Sequence, residues 1–297
     1  MNEIILSNNY LSIGVVPELG AALSFLRYHK NKKEIDILRP IDLKKGKLDA
    51  NNAAMFPMLP YCGRIRGGSF TYWGILRKVP QNHPGIPDPI HGDGWKLNWT
   101  VVEQTNTSVK LSVSHDKSDV GFPFSYTAEI TYQISDGNLT VDMTVQNPAP
   151  LPMPCGMGVH PFFVREKDVE LNFKSQVVWS NESDPIFDEP YTTPSAWNFN
   201  GGKALKNAVF DTCFGGFEEQ AQIVYPSKEI TVDMTTTDIF HHVVLFAPKN
   251  KNFFSLEPCS NASNAFNLAA DGVIGTGIRS IGPKQAISGR VTFKIQG

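Results

Sequence analysis

Residues 126–145 read YTAEITYQISDGNLTVDMTV, in which apolar and polar side chains alternate on both sides of the polar segment 135–138. Successive side chains of a β-strand point to opposite faces, so this alternation is typical of a strand with one buried face. An Asp-Gly pair between two such runs is typical of a tight hairpin turn. The stretch therefore predicts two antiparallel strands joined by a short turn.

The same period of two recurs along the chain. Further alternating runs lie at Val109–Val113, Val169–Phe173, Ile230–Met234 and Val291–Ile295. The 24 glycines and 21 prolines indicate many turns, and no stretch repeats apolar residues at helical spacing over three or four turns. We therefore predict an all-β protein, a large antiparallel β-sandwich.

The organisation along the chain is simple. Two loops are expected, a lysine-rich one at Lys30–Lys47 and a proline-rich one at Gln81–Pro89. Neither is long or biased enough to be a domain linker, and the sequence has no internal repeat. We predict a single domain over residues 1–297.

Charge and composition exclude several kinds of partner. The chain has 27 Lys and Arg against 29 Asp and Glu, without a long run of either sign, so nucleic acid and anionic membranes are poor candidates. No segment approaches the roughly 20 apolar residues of a membrane span. The segment Met1–Ser7 has no basic start followed by an apolar stretch, so we expect a cytoplasmic protein.

Glu257 is the first candidate for chemistry, in the segment Phe253-Phe254-Ser255-Leu256-Glu257-Pro258. If this segment is a strand, Phe254 and Leu256 face a core while Ser255 and Glu257 face the other way. A rigid strand can hold a proton-transfer group in place, and His91 and His160 are candidate partners.

Four other polar residues stand in unusual local settings. His160 follows two glycines and precedes Pro-Phe-Phe, which suits either a structural histidine or a general acid. His91 lies in a predicted loop and is either functional or merely solvated. Arg64 either pairs with a surface carboxylate or, with glycine neighbours, contacts a ligand. Asp211 is either a turn residue or part of a site.

The four cysteines form no Cys-x-x-Cys pair, so a zinc ribbon and a redox motif are not suggested. Three of them stand two residues from a candidate and would share its face on a strand: Cys62 with Arg64, Cys213 with Asp211, Cys259 with Glu257. Small polarizable fillers beside a pocket are the favoured interpretation over a thiolate metal site. We expect no metal.

Taken together and in chain order, these motifs resemble the aldose 1-epimerase (galactose mutarotase) family. The segments that carry the resemblance are Gly63-Arg64-Ile65 with Gly68-Ser69-Phe70, His91-Gly92, His160-Pro161-Phe162-Phe163, Asp211 with Phe214, and Glu257-Pro258 with Ala265-Phe266-Asn267. The resemblance covers almost the whole chain and implies a galactose mutarotase-like supersandwich. It also implies interconversion of the α and β forms of an aldose without a cofactor.

By this resemblance, Glu257 is the general base and His160 the general acid, while Arg64, His91 and Asp211 bind sugar hydroxyls. The implied partner is a monosaccharide, and the protein is expected to be a monomer or homodimer. Gly63, Phe162 and Ser263-Asn264 depart from the family's Asn, Tyr and Pro-Asp. The sequence therefore does not name the sugar.

Other functions stay open at this point. A hexose-6-phosphate mutarotase on the same fold would need extra cations near the site, for which Arg64 and Arg66 are candidates. A non-catalytic sugar-binding protein would show binding without interconversion. A glycoside hydrolase or lyase is ranked last, because only Glu257 and Asp211 offer the two carboxylates it needs.

Overall fold

The computed structural model describes residues 1–45, 48–118, 120–179, 186 and 189–297. In these residues the chain forms mainly short strands. The strands are β1 Ile4–Ser7, β2 Leu11–Val16, β3 Ala22–Lys30, β4 Lys33–Leu38, β5 Met55–Met58, β6 Ser69–Tyr72, β7 Ile75–Lys78, β8 Thr100–Gln104, β9 Ser108–His115, β10 Tyr126–Ser135, β11 Asn138–Gln146, β12 Met153–Cys155, β13 Gly158–Val164, β14 Glu170–Phe173, β15 Val177–Val178, β16 Tyr191–Thr192, β17 Lys203–Ala204, β18 Phe210–Gly215, β19 Gln220–Tyr225, β20 Ile230–Thr236, β21 His242–Ala247, β22 Phe253–Cys259, β23 Arg279–Ile281 and β24 Ala286–Gln296.

Helical structure in the described residues is short. One α-helix, α1, spans Ala265–Ala270. Single turns of 3₁₀-helix lie at Pro17–Leu19, Ala50–Asn52, Arg66–Gly68, Gly94–Lys96, Ser195–Trp197 and Pro226–Lys228. None of the helices found in the described parts of the chain is long and apolar enough to cross a membrane.

Most strands belong to two large antiparallel sheets. The first has the order β1-β2-β3-β4-β13-β22-β21-β18-β15-β16, with β5 pairing β13 and β3. The second has the order β17-β14-β19-β20-β24-β11-β10-β9-β8. The short pairs β12-β23 and β6-β7 stand apart from both. The predicted all-β antiparallel fold is confirmed.

The hairpin of residues 126–145 is present as predicted. Strands β10 and β11 pair from Thr127 with Gln146 to Ser135 with Asn138, which leaves Asp136-Gly137 as a two-residue turn. The burial of β10 and β11 alternates along both strands, and the buried positions are the apolar ones. The other predicted runs lie in β9, β20 and β24, and in β14 except for Val169, which directly precedes that strand.

The two sheets pack face to face around one apolar cluster. Ile130 and Phe293 of the second sheet and Phe254 and Leu256 of the first belong to it, and each is fully or almost fully buried. Rings cross from sheet to sheet, since Phe163 lies 5.5 Å from Phe254 and 6.0 Å from Phe293 between ring centroids. This is the core of a sandwich.

The first sheet contains strands that alternation did not reveal. Strands β2 and β5 are buried at every position, and β13 at all but its last. A strand covered on both faces carries apolar residues on both, so the period of two disappears. Residues of β2 and β5 divide between the main core cluster, which contains Val15 and Met55, and a second buried cluster, which contains Val16 and Phe56.

One predicted loop is partly wrong. Residues Lys33–Leu38 of the loop expected at Lys30–Lys47 form β4, which pairs with β3. The strand begins with the exposed charged residues Lys33 and Glu34, and only its last two residues are buried. The sequence pattern therefore did not indicate a strand here. Gly46 and Lys47 lie outside the described residues, and residues 81–89 are irregular as predicted.

Both sheets combine strands from distant parts of the sequence. The C-terminal strand β24 lies between β11 and β20, and β22 lies between β13 and β21. The described strands do not divide into two groups that follow one another along the sequence. We therefore keep the prediction of a single domain over residues 1–297.

Removing the Phe254 ring tests the shared core. We expect Phe254→Ala to lower the free energy of unfolding by about 3 to 5 kcal/mol, because the ring is fully buried and leaves a cavity. The measurement is urea unfolding. Ile5→Ala, at a position that is 50% exposed on β1, is the control and should change stability little. Equal losses for the two variants would contradict the assigned core.

Candidate active site

Strands β13, β22, β21 and β18 are neighbours in the first sheet, and their alternate residues face away from the sandwich core. On β22, Phe254 and Leu256 join the core, whereas Ser255 and Glu257 lie on the opposite face. This is the orientation predicted for the segment. The same alternation on β18 directs Asp211 toward that face.

A cavity of about 330 Å³ opens on this face. Its lining includes all five residues singled out from the sequence: Arg64, His91, His160, Asp211 and Glu257. They come from separate strands and loops, so the fold brings them together. A cavity of this size can accept a small polar molecule.

Glu257 and His160 are in direct contact. The pairing of Gly158 with Cys259 and of Phe162 with Ser255 places the two residues opposite each other on β13 and β22. His160 Nε2 lies 3.1 Å from Glu257 Oε1, and the side chains are 9% and 2% exposed. The other ring nitrogen, Nδ1, lies 3.2 Å from Ser255 Oγ.

Burial sets the protonation of this pair. It raises the pKa of Glu257 well above its usual value, with nearby Asp211 adding to the effect and Arg64 opposing it. It also lowers the pKa of His160 well below its usual value, assisted by His91 and Arg39. The uncharged forms are therefore favoured in the resting site.

The hydrogen bonds fit an uncharged pair that holds one transferable proton. In the tautomer with the proton on Nδ1, His160 donates to Ser255 Oγ, and Nε2 can accept from the protonated Glu257 carboxyl. Moving that proton along the 3.1 Å contact converts the pair into carboxylate and imidazolium. Both arrangements contain the same number of protons. Ser255 was missed in the sequence, although it shares the face of Glu257.

His91 presents a fixed donor to the cavity. Its backbone has a φ of 61°, and its Nδ1 accepts a hydrogen bond of 3.2 Å from the Gly63 N–H. Burial lowers the pKa of His91 to about 3, with Arg64 and His83 adding to the shift. The ring is therefore neutral with its proton on Nε2, which can donate to a ligand oxygen.

Arg64 and Asp211 form an ion pair at the cavity. Arg64 Nη2 lies 3.3 Å from Asp211 Oδ2, and the side chains are 18% and 27% exposed. A guanidinium has five N–H donors and a carboxylate has several acceptor positions, so both groups keep capacity for a ligand. Together with His91 they offer donors and acceptors suited to hydroxyl groups.

Comparison with known proteins identifies the family. The sequence profile described as aldose 1-epimerase matches residues 3–278. The chain belongs to the aldose 1-epimerase family. Members of this family are isomerases, and the resemblance found in the motifs is confirmed.

Individual relatives agree with this assignment. The uncharacterized protein YphB of Escherichia coli K12 is 26% identical over 230 residues, which cover 74% of this chain and 78% of that protein. An aldose 1-epimerase of the same bacterium is 30% identical over 99 residues, or 31% of this chain and 28% of that one. A galactose mutarotase-like protein from Clostridium acetobutylicum has the same fold, with a TM-score of 0.83, 19% identity and coverage of 99% and 95%.

Gly63 and Ser263, which both depart from the family pattern, lie against each other. Gly63, which replaces the family's asparagine, has a φ of 71°, and a Cβ there would lie 2.9 Å from Ser263 Cα. Ser263 itself departs from the family's Pro-Asp, and its Oγ accepts a hydrogen bond of 3.2 Å from the Arg64 N–H. The close approach thus leaves no room for a side chain at position 63.

Two aromatic rings pack against the His160 imidazole. The imidazole stacks on Phe56 at 4.8 Å and on Phe162 at 4.3 Å between ring centroids. Phe162 replaces the family's tyrosine, so this contact lacks a phenol hydroxyl. Phe56 was missed in the sequence because β5 is buried throughout and shows no alternation.

The three cysteines paired with site residues line the same cavity, as their spacing predicted. Burial raises the pKa of Cys259, and that of Cys213 to about 12, which favours inert thiols over metal-binding thiolates. His91, His160 and Glu257 place ligand atoms within 4.8 Å of one another and could surround a cation. We keep the prediction from the sequence that the protein uses no metal or cofactor.

Because Glu257 is buried, we expect its replacement by Gln to stabilise the protein by an amount that depends on pH. A carboxyl whose pKa is raised on folding stabilises the protein at low pH and loses that contribution as the pH rises through the folded pKa. Gln resembles the protonated carboxyl and does not titrate. We therefore expect Glu257→Gln to raise the thermal midpoint by about 2 °C or more at pH 8, and by less at pH 5.

Glu218→Gln is the matched control for this melting experiment, because Glu218 is 54% exposed and pairs with Lys174 at the surface. It should change the midpoint little at either pH. A loss of stability in Glu257→Gln at pH 8, or a larger gain at pH 5, would contradict the assigned burial of an uncharged acid.

Proposed function

We propose that this protein is a cofactor-independent aldose 1-epimerase that interconverts the α and β anomers of an aldose. The observation that carries the proposal is the buried contact of 3.1 Å between His160 and Glu257 in a cavity with hydroxyl-binding groups. An acid and a base held together in this way suit a reaction that adds one proton and removes another.

Ring opening uses the charged arrangement of the pair. The Glu257 carboxylate takes the proton of the anomeric hydroxyl while His160 Nε2–H gives a proton to the ring oxygen. The bond between C1 and the ring oxygen breaks, and the C1–O1 bond becomes the carbonyl of the open aldehyde. The pair is left as a protonated carboxyl and a neutral imidazole, the forms that burial favours.

Ring closure reverses the roles. After rotation about the C1–C2 bond, neutral His160 takes the proton of the attacking hydroxyl and Glu257 returns its proton to the aldehyde oxygen. The opposite face of the carbonyl is attacked, so the other anomer forms. The pair regains its starting protons, and no electron carrier or metal enters the balance.

The remaining residues suit the binding of the sugar. His91 Nε2–H is a fixed donor, Arg64 supplies further N–H groups, and Asp211 accepts hydrogen bonds from hydroxyls. Their ion pair and backbone contacts hold these groups in place before a ligand arrives. Preorganised groups of this kind lower the entropy lost on binding.

A non-catalytic sugar-binding protein is the main competing function. Such a protein would need hydroxyl-binding groups but no buried acid beside a buried imidazole. Burying Glu257 at 2% exposure is unfavourable for folding in its charged form. The presence of this buried pair despite its unfavourable contribution to folding supports an enzyme over a binding protein.

Substitution of the pair tests the proposal. We expect Glu257→Gln and His160→Asn each to lower kcat by about 10²- to 10⁴-fold, because proton transfer is lost. Sugar binding should change little, because the hydroxyl-binding residues are untouched. Exchange NMR between anomers measures the rate, and calorimetry measures the binding.

The surface variant Glu218→Gln is again the control and should keep the wild-type rate. Near-normal interconversion by Glu257→Gln would remove it as the base. If His160→Asn weakened binding without lowering kcat, His160 would be a ligand contact rather than the acid.

A further inference from the structure

Arg39, just after β4, is a cation of the cavity that the sequence did not reveal. Its Nε–H donates to Ala53 O at 3.1 Å, and its Nη2 donates to Asn51 O. The guanidinium carbon lies 3.6 Å from the Phe162 ring centroid and 4.2 Å from that of Phe253. The group is therefore held rigidly by carbonyls and aromatic rings.

The charge of Arg39 has no carboxylate partner within ion-pair distance in the described part of the chain. Of its five N–H donors, one on Nε and one on Nη2 are used, which leaves three for a ligand. Burial lowers its pKa to about 10, so the guanidinium stays positive at neutral pH. A half-buried cation without a partner is unfavourable unless an anion binds there.

The charge around Arg39 is also positive. The cavity lining contains Arg39, Arg64 and Lys251 against Asp211 and Glu257. Arg64 is already paired with Asp211, and burial favours uncharged Glu257. The surplus of positive charge therefore lies on the side of Arg39 and Lys251.

The positive surface continues outward from Lys251. A neighbouring depression is lined by Lys251 together with Lys167, Lys206 and Lys249. Glu166, which also lines it, is paired with Lys228 at 2.6 Å. A cationic approach of this kind raises the local concentration of anions at the cavity mouth.

Arg39 lies within one sugar's reach of the proton-transfer pair. The Phe162 ring contacts both the guanidinium, at 3.6 Å, and the His160 imidazole, at 4.3 Å. The guanidinium carbon and the imidazole centroid are therefore less than about 8 Å apart, a span that one monosaccharide with a charged substituent can bridge.

We propose that the aldose bound by this protein carries an anionic substituent, a phosphate or a carboxylate, that binds Arg39. Lys251 attracts this group at the mouth of the cavity. Arg39 thereby determines specificity and takes no part in proton transfer. The proposal rests on the epimerase function proposed above and names its substrate class.

The test compares neutral and anionic sugars. Anomer exchange is measured by NMR for glucose, glucose 6-phosphate and glucuronate, after subtraction of the uncatalysed rate. We expect wild-type kcat/KM to be higher for an anionic sugar than for glucose. Arg39→Met should lower that preference by about 10- to 100-fold, because charged hydrogen bonds are lost. Arg39→Lys should keep part of it.

Arg27→Met is the matched control, because Arg27 also lies over a phenylalanine ring, at 4.4 Å from Phe25, but pairs with Asp36. It should leave the preference unchanged. A larger rate with glucose 6-phosphate than with glucuronate assigns a phosphate, and the reverse order assigns a carboxylate.

The proposal is overturned if wild type prefers glucose, or if Arg39→Met lowers kcat/KM equally for neutral and anionic sugars. If wild type interconverts no sugar, the epimerase proposal fails by itself. Calorimetric binding of glucose 6-phosphate and glucuronate then decides the role of Arg39. Binding of either anion that Arg39→Met weakens supports an anion site, and unchanged or absent binding of both anions overturns it.

Discussion

The structure depends on the alternating directions of the side chains along central strands that are covered on both faces. On β22 the Phe254 and Leu256 side chains are fixed in the sandwich core, so Ser255 and Glu257 must lie on the opposite face, where Glu257 lines the cavity. On β13 the antiparallel register then sets His160 opposite Glu257. A one-residue slip of either strand would exchange the core face for the site face. Core packing and site geometry are thus specified together.

The same burial that fixes the geometry also sets the chemistry. Burial raises the pKa of Glu257 and lowers the pKa of His160, so the uncharged pair is favoured. The pair then holds one proton that can lie on either residue. In the proposed reaction, ring opening and ring closure each use one of these arrangements, so the pair would need no net proton from solvent. The buried acid in turn makes the site less favourable for folding at high pH.

The sequence predicted those parts of the fold that have one exposed face, such as β10 and β11, and the orientation of Glu257 on β22. It did not reveal β2 or β5, because strands buried on both sides carry no alternation. It also could not pair strands that are distant in the chain. Two contacts of this long-range kind are the one between Ser255 and His160 and the one between Arg39 and Phe162. The predicted site residues came from local motifs, whereas their supporting neighbours depend on long-range register.

The departures from the family pattern lie around the proton-transfer pair, whereas the pair itself is retained. Phe162 differs from the tyrosine of the family pattern, and the Arg39 guanidinium carbon lies 3.6 Å from its ring centroid. Gly63 and Ser263 lie in close contact, and Ser263 Oγ accepts a hydrogen bond from the Arg64 N–H. Because His160 is stacked on the same Phe162 ring, a change in sugar preference can occur on one side of that ring while the acid on it stays fixed. The proposed anion contact at Arg39 and the proposed acid His160 are therefore both held by the Phe162 ring.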